Sequence, residues 1–368
     1  MHIKITRTAL AEALNSVQTA ATTKAALPIL QNVKIEVAEG KAKFTCTDLD
    51  VTLVATADCE VLEPGATTLP VKQFSAAVGK VIDGTIDISV SDGDKAKMSA
   101  GSTTFKFNGT AIREFPEVSH VEMEGIRVPC KSICEMMRKT SFAASQDDTR
   151  RTFQGVLLDF STAGNVVSVA TDGRRLAMLQ CEASVPEPFQ RQFIIPKKAV
   201  DIIAKRLPKE GDCFVKYVGT LLQFASGPIE LVTKLLDETY PDYHRVVPKG
   251  NDIKVTVDRA ELAGAIDRIS VMALDADNNS MTLTFEPGKI VLDAKAAEYG
   301  SSRDEVACNY SGDKITMVFN PIYFRAPLNV IDEETVDILL AGEGKPVIIR
   351  KGDLEDYTYV VMPLRTGA

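Results

Sequence analysis

Ile194-Ile195-Pro196-Lys197-Lys198-Ala199-Val200-Asp201-Ile202-Ile203 reads as the end of a strand, a proline and the opening of a helix. Proline suits the first helical position, where its missing N–H costs nothing. The same device stands at Leu69-Pro70-Val71-Lys72-Gln73-Phe74 and again at Phe319-Asn320-Pro321-Ile322-Tyr323-Phe324. The three prolines are 126 and 125 residues apart in a chain of 368. One device used three times at a third of the length predicts a threefold internal repeat.

Working outward, each third opens with an amphipathic helix. Leu10, Leu14, Val17 and Ala21 follow the spacing of a helix buried on one face, and so do Leu262, Ile266, Ile269 and Ala273. The second third carries Ile133, Met137 and Ala144, with polar Thr140 interrupting the stripe. Strand-like runs follow. Val33–Val37 alternates with period two, and a Glu39-Gly40 turn separates it from Phe44–Thr47 and Val51–Val54. Val156–Phe160, Gly164-Asn165 and Val166–Ala170 match these in the second third, as do Met281–Phe285, Pro287-Gly288 and Ile290–Leu292 in the third. Further strands, Ile86–Val90, Cys213–Tyr217 and Val336–Leu340, follow the proline-led helix. The thirds close on Phe115-Pro116, Tyr240-Pro241 and Met362-Pro363. Runs of strands with two helices per unit predict α+β domains, with helices on one face of antiparallel sheets. The expected limits are 1–124, 125–250 and 251–368.

Composition bounds the function. Hydrophobic content of 45% and charged content of 25% are ordinary for a globular protein. No apolar run is long enough for a membrane span, and Met1–Arg7 lacks the apolar stretch of a signal peptide. Seven cysteines with no C-x-x-C pair read as reduced thiols in a cytoplasmic protein.

The net charge of −8 is unevenly spread. The six expected helices together carry +9, which leaves −17 on the rest. Lysine's helix propensity alone would favour glutamate equally, yet these helices hold few glutamates. Helices sharing one face would make a cationic surface for a phosphate backbone on an otherwise anionic protein. No aromatic residues interleave the basic ones, so sequence-independent contact with a duplex is expected, without base stacking.

Catalytic signatures are missing: GxGxxG, GxxxxGK[ST], GxSxG and HExxH do not occur. Asp48-Leu49-Asp50 aligns with Asp172-Gly173-Arg174, which favours a strand-end turn over a metal pair. Gln146–Arg151 reads as a charged, solvated loop. The alternative is a metal-dependent phosphate-handling enzyme using Asp48, Asp50, Asp147 and Asp148. Without a convergent acid, base and nucleophile, neither an enzyme nor a cofactor is expected.

At Leu27-Pro28-Ile29-Leu30, Thr47–Asp50, Pro64–Thr68, Ala170–Ala177, Ile195–Lys198, Tyr240–Pro248 and Tyr359–Arg365 the chain resembles the bacterial sliding clamp family, the beta subunits of DNA polymerase III. The resemblance spans 1–366 and implies a head-to-tail homodimer. Six similar clamp domains would form a ring with helices lining the hole and sheets at the rim. It implies duplex DNA, the replicative polymerase catalytic subunit, a clamp loader, and other polymerases and repair proteins carrying clamp-binding peptides as partners. By the same resemblance Lys24, Lys72, Arg150, Arg151, Lys197 and Lys198 face DNA. Phe153, Thr171, Gly173, Arg174, Arg175, Leu176, Pro241, Arg245, Val246, Asn320, Tyr323, Val360, Val361, Met362, Pro363, Leu364 and Arg365 match the partner-peptide cleft between the second and third domains. Leu176, Val246, Val360 and Met362 are expected as its apolar floor, with arginines at the rim. Phe105 and Phe107 of one subunit would meet Val271 and Met272 of the other, and Phe105-Lys106-Phe107 alternates as an edge strand does. Arg174 stands where the family commonly has His, Phe153 where it commonly has Leu, and Gly344 and Pro346 where the cleft wall would lie.

Overall fold

The computed structural model describes residues 1–22, 27–82, 84–91, 93–118, 125–161, 164–185, 190–273, 279–296, 298–351 and 356–364. Among the described residues there are six α-helices: α1 Arg7–Val17, α2 Val71–Lys80, α3 Cys130–Thr140, α4 Lys197–Arg206, α5 Arg259–Ala273 and α6 Pro321–Arg325. Each buries the apolar stripe its sequence carries. In α1 the buried residues are Leu10, Ala13, Leu14 and Val17; in α5 they include Leu262, Ile266, Ile269 and Ala273. The Thr6 side chain starts α1 by accepting from the Ala9 N–H.

Two helices are shorter than their stripes suggest. α1 stops at Val17, so Ala21 lies beyond it. α3 stops at Thr140, whose Oγ1 donates to the Met136 carbonyl. That back-bond answers the buried hydroxyl within the last turn. Ala144 follows a short 3-10 turn and is buried there outside the helix.

The chain forms two compact units, and each gathers strands from two neighbouring thirds. The first, Met1–Cys134 with Asp201–Leu235, holds two sheets. One is five-stranded, in the order Glu60–Glu63, His2–Thr6, Thr85–Ser91, Lys95–Ala100, Thr103–Asn108. The other is eight-stranded, in the order Ile126–Pro129, Asp212–Val218, Leu221–Ser226, Ile229–Lys234, Val51–Asp58, Lys41–Thr47, Asn32–Ala38, Gly65–Pro70. α1 packs on Lys41–Thr47 and Val51–Asp58.

The second unit, Glu135–Val200 with Leu236–Ala368, is built on one twelve-stranded sheet. Its first six strands are Gln192–Pro196, Gly155–Asp159, Asn165–Thr171, Arg175–Glu182, Tyr357–Val361 and Val347–Arg350. The remaining six are Thr335–Leu340, Ile253–Asp258, Gly300–Asn309, Lys289–Ala296, Met281–Glu286 and Ile315–Phe319. α5 packs on Lys289–Ala296 and Gly300–Asn309.

The same seam is used in both units. Ile229–Lys234 of the second third pairs antiparallel with Val51–Asp58 of the first. Tyr357–Val361 of the third pairs antiparallel with Arg175–Glu182 of the second. Backbone hydrogen bonding therefore runs unbroken from one repeat into the next within each unit.

The prolines correct one expectation. Pro70 and Pro196 are the last residues of their strands and precede the helix, whereas Pro321 alone occupies the first helical turn after the Asn320 cap. All three preceding strands, Gly65–Pro70, Gln192–Pro196 and Ile315–Phe319, are outermost in their sheets. An edge strand has no neighbour for the missing N–H, so proline is tolerated there. Helix starts at 71, 197 and 321 put Asn320 at the position of Pro70 and Pro196.

Candidate functional site

The turn between Asn165–Thr171 and Arg175–Glu182 is held by its own side chains. Thr171 Oγ1 donates to the Arg175 carbonyl (2.5 Å) and accepts from the Gly173 N–H (3.0 Å). Asp172 Oδ1 accepts from the Arg174 and Arg175 N–H groups at 2.9 and 3.1 Å, and Oδ2 from Arg175 Nε at 3.0 Å. Gly173 sits at φ +85°, a left-handed conformation that glycine adopts without steric cost. A Cβ there would lie 3.3 Å from Arg150 Nη1.

The first repeat builds the same turn. Thr47 Oγ1 donates to the Val51 carbonyl and accepts from Leu49 N–H, while Asp48 Oδ1 accepts from Asp50 and Val51 N–H. The repeat therefore places Asp48 in a turn, as its alignment with Asp172 predicts. In the Gln146–Arg151 loop Asp147 Oδ1 accepts from Thr149, and Asp148 Oδ1 from Gln154 Nε2.

Beside the second turn lies an apolar cleft of about 160 Å3. Its walls include Phe153, Thr171, Gly173, Arg174, Arg175, Leu176, Pro241, Val246, Val360 and Met362, all expected from the sequence. Tyr240 and Tyr243 complete it. Both tyrosines were missed, although Tyr240-Pro241 marks the end of a repeat. The floor is Leu176 and Val360, each 1% exposed and part of the core with Leu157, Val169, Ile194 and Ile348. Val246 and Met362, each 41% exposed, are lips of the cleft. Tyr243 is fixed from below, since its hydroxyl donates to buried Asp159 Oδ2 at 3.0 Å. Burial pushes the Tyr243 phenol well above its ordinary pKa, with the Asp159 charge adding to the effect.

The other expected cleft residues fall elsewhere. Val361, the register partner of Arg175 in the strand pair, is fully buried. Asn320 caps α6 by accepting from Ile322 N–H. Arg245 points to solvent and pairs with Asp242 at 3.0 Å. Leu364 N–H donates to the Val318 carbonyl of strand Ile315–Phe319, with half-buried Pro363 beside it. Arg365 lies outside the described residues.

Tyr323 lines a second, polar chamber of about 360 Å3, together with Ala144, Ser145, Gln146, Asp147, Arg150, Asp172, Arg174, Arg175 and Ile322. Arg174 and Arg175 belong to both walls. Arg150, expected to face DNA, is thus placed in this chamber, where Nη1 donates to the Asp172 carbonyl at 3.2 Å.

Among the remaining basic residues, Lys72 and Lys198 are exposed and take the same place, second in α2 and second in α4. Lys197 is half-buried, and its Nζ donates to the Ser141 carbonyl at 3.5 Å. Arg151 is exposed, and Lys24 lies outside the described residues. Within their observed limits α1 to α6 carry 0, +2, +2, +3, 0 and +1, so the cationic bias of the helices survives their shortening. The third repeat has exposed Ile322 where the others have Lys72 and Lys198.

For the subunit contact, Thr103–Asn108 is outermost in its sheet and carries half-buried Phe105 and Phe107 with rings 6.4 Å apart. Phe107 also packs edge-on against Phe74 at 5.5 Å. Val271, 66% exposed, and Met272 sit in the last turn of α5. Gly300–Asn309 pairs along its length with Lys289–Ala296, but meets Ile253–Asp258 only through Cys308 and Asn309. Among the described residues its 300–307 segment therefore has an open side.

Fold and cleft define a clamp protein of three α+β repeats joined through continuous sheets. Models of the N-terminal, central and C-terminal domains of the DNA polymerase III beta subunit match residues 1–119, 127–242 and 244–365. The Pseudomonas aeruginosa beta sliding clamp is 30% identical over 369 residues, covering 99% of this chain and 100% of that protein. The Chlamydia pneumoniae beta sliding clamp is 29% identical, with 99% of each covered. A crystal structure of the Pseudomonas aeruginosa clamp bound to griselimycin superposes with a TM-score of 0.92 at 30% identity, covering 100% of both chains. The chain belongs to the DNA polymerase III beta subunit family, the bacterial sliding clamps, which serve replication as accessory processivity factors and not as catalysts. Membership implies DNA and a polymerase as partners. No helix among the described residues is long and apolar enough to cross a membrane.

Proposed function

We propose that two copies of this chain close head to tail into a six-domain ring around duplex DNA, with domains 1–124, 125–250 and 251–368. The observation that carries this reading is the seam. Twice within the chain, the last strand of one repeat's sheet pairs with a strand of the preceding repeat. Continuing that pattern matches Ile229–Lys234 and Tyr357–Val361 with Thr103–Asn108, and Val51–Asp58 and Arg175–Glu182 with Gly300–Asn309. The first is an outer strand and the second has an open side, so a second copy supplies the missing partner in each direction. Phe105, Phe107, Val271 and Met272 are the apolar side chains proposed at that contact.

The ring holds DNA topologically, and Lys24, Lys72, Arg151, Lys197 and Lys198 touch the phosphate backbone weakly and without regard to sequence. The apolar cleft takes a peptide from the replicative polymerase, the clamp loader, and other polymerases and repair proteins. The griselimycin complex of a related clamp supports a ligand-accepting surface in this family. Tethering makes polymerase rebinding intramolecular, which is the source of processivity. The protein works in the cytoplasm.

The test is solution mass by light scattering followed by retention on DNA. Twice 39.9 kDa, with retention on closed circles and release on linearisation, is expected. A monomer at every micromolar concentration, or equal retention on linear DNA, overturns the ring.

A further inference from the structure

We infer that Asp159 is a positioning residue for the cleft: its buried carboxylate holds Tyr243, and through Tyr243 the Val246 lip, in the place a bound peptide needs. The inference rests on the cleft reading above and adds to it the residue that sets one wall.

Asp159 is 2% exposed and ends the strand Gly155–Asp159. Among the described residues its partners are four neutral donor groups and no cation. Ser161 gives its N–H at 2.8 Å and its hydroxyl at 2.6 Å to Oδ1. Gln192 gives Nε2 at 2.8 Å and Tyr243 its hydroxyl at 3.0 Å to Oδ2. A carboxylate this buried is costly unless its oxygens are hydrogen-bonded. Three of the four donors are local to the sheet: Ser161 is two residues on, and Gln192 is the register partner of Asp159 in the neighbouring strand. Tyr243 comes from 84 residues further along the chain.

Tyr243 opens a short 3-10 turn, Tyr243–Arg245, and lines the cleft. Its carbonyl accepts from Val246 N–H at 3.0 Å and from Val247 N–H at 3.4 Å. The exposed lip is thus rooted in the residue that Asp159 holds.

The other repeats build their sheets without this pair. Glu36 faces Ala66 in register as Asp159 faces Gln192, four residues before Pro70 and Pro196 respectively. Glu36 is half-buried and spends its carboxylate on Lys34 at 2.8 Å. Val118 follows Phe115 as Tyr243 follows Tyr240, and has no hydroxyl to give. In the third repeat Thr284 faces Thr316, four residues before Asn320, and brings no charge. The strand position therefore does not require a buried carboxylate. The repeat that carries one is the repeat whose tail walls the cleft.

Two single substitutions separate positioning from support. Tyr243→Phe keeps the ring and removes the hydroxyl. Gln192→Ala removes a donor to the same Oδ2 without touching the 240–247 segment. The probe is a labelled peptide with adjacent leucine and phenylalanine, followed on the full chain by fluorescence anisotropy and by its dissociation rate. Both variants are expected to lower the denaturant midpoint. Only Tyr243→Phe weakens the peptide, by about fivefold and through faster dissociation. Asp159→Asn, which keeps an acceptor, loses less affinity than Asp159→Ala, and Tyr243→Phe adds nothing further to Asp159→Ala. Wild-type affinity in Tyr243→Phe, or an equal loss in Gln192→Ala, makes the role structural and overturns the inference while leaving the cleft intact. Should Asp159→Ala not fold, the comparison of Tyr243→Phe with Gln192→Ala decides. A peptide that does not bind the wild-type chain, or that is indifferent to Met362→Ala at the other lip, overturns the cleft reading and the inference with it.

Discussion

Leu176 and Val360 are register partners across the antiparallel seam between the second and third repeats, and both form the cleft floor at 1% exposure. The proposed binding surface is therefore the upper layer of a packed core. A floor fixed by a strand pair has little side-chain entropy left to lose when a ligand lands on it.

This splits the effects of substitution. Leu176→Ala opens a cavity in the core and costs about 2–5 kcal/mol of stability in the second unit. Val246→Ala and Met362→Ala, at the exposed lips, stay within about 0.5 kcal/mol of wild type. Each lip variant still weakens peptide binding several-fold. Denaturant midpoints beside peptide titrations separate the two classes, and a lip variant that bound normally would remove it from the site.

Lys72 and Lys198 share one place in successive repeats, each exposed one residue inside its helix. Reversing both to Glu leaves the thermal midpoint nearly unchanged. It flattens the dependence of DNA affinity on salt, because each lost phosphate contact lowers the slope by about 0.9. Lys197→Glu differs, since Lys197 also donates to the Ser141 carbonyl and is half-buried. An unaltered salt slope in the Lys72 and Lys198 double variant would show that these helix starts do not face DNA.

Much of the fold could be read from residue patterns. The stripes of α1 and α5, the Glu39-Gly40 turn and the recurrence of strands all rest on local rules. The seams could not be read this way, because pairing of Ile229–Lys234 with Val51–Asp58 is set by tertiary packing and leaves no local signal. Pro70 and Pro196 misled by one position, while Pro321 did not: an edge strand and a helix start both tolerate a missing N–H, and pattern alone does not separate them. In the cleft, the repeat predicts the Asp172 turn itself, while the place of Thr171–Leu176 in a cleft is expected only from the resemblance to the clamp family. Tyr240 and Tyr243 could not be anticipated, since their rings reach the cleft only through the fold of the 240–247 segment. Val361 alternates with Val360 along one strand, so one of the two had to point away from the cleft.

Leu49 holds the position of Gly173 in the duplicated turn, with φ +80° and 45% exposure. A leucine there is strained by about 1–2 kcal/mol, while glycine loses about 0.5–1 kcal/mol in chain entropy. Leu49→Gly is expected to stabilise the first unit by roughly 0.5 kcal/mol. Gly173→Ala is destabilising, because it adds strain and crowds Arg150 Nη1 at 3.3 Å. Stability curves of the two variants moving the same way would contradict the equivalence of the turns.

Val271 protrudes from the last turn of α5 without supporting the core. Val271→Arg is expected to halve the solution mass and abolish retention on circular DNA while leaving the circular dichroism spectrum unchanged. Phe107→Ala is a poorer probe, since Phe107 packs against buried Phe74 and its loss disturbs the fold as well. A dimer of unchanged affinity in Val271→Arg would move the subunit contact off this helix end.

The Asp147 carboxyl is held below the usual carboxylate range, first by the Thr149 hydroxyl, then by the Thr149 amide, with Arg150 adding to both. A folded-state value below the unfolded one means that this group stabilises the loop above the ordinary aspartate pKa of about 3.9. The contribution disappears only as pH falls through the lowered value. Between pH 7 and 5 the chamber therefore keeps the Asp147 charge. Thr149→Val removes the strongest of the three interactions and leaves the backbone amide, so the Asp147 titration moves upward toward the ordinary value. Carbon-detected NMR titration of the Asp147 carboxyl reads this directly. A wild-type midpoint at or above the ordinary value, or no upward movement in Thr149→Val, would show that the loop does not hold its charge in this way.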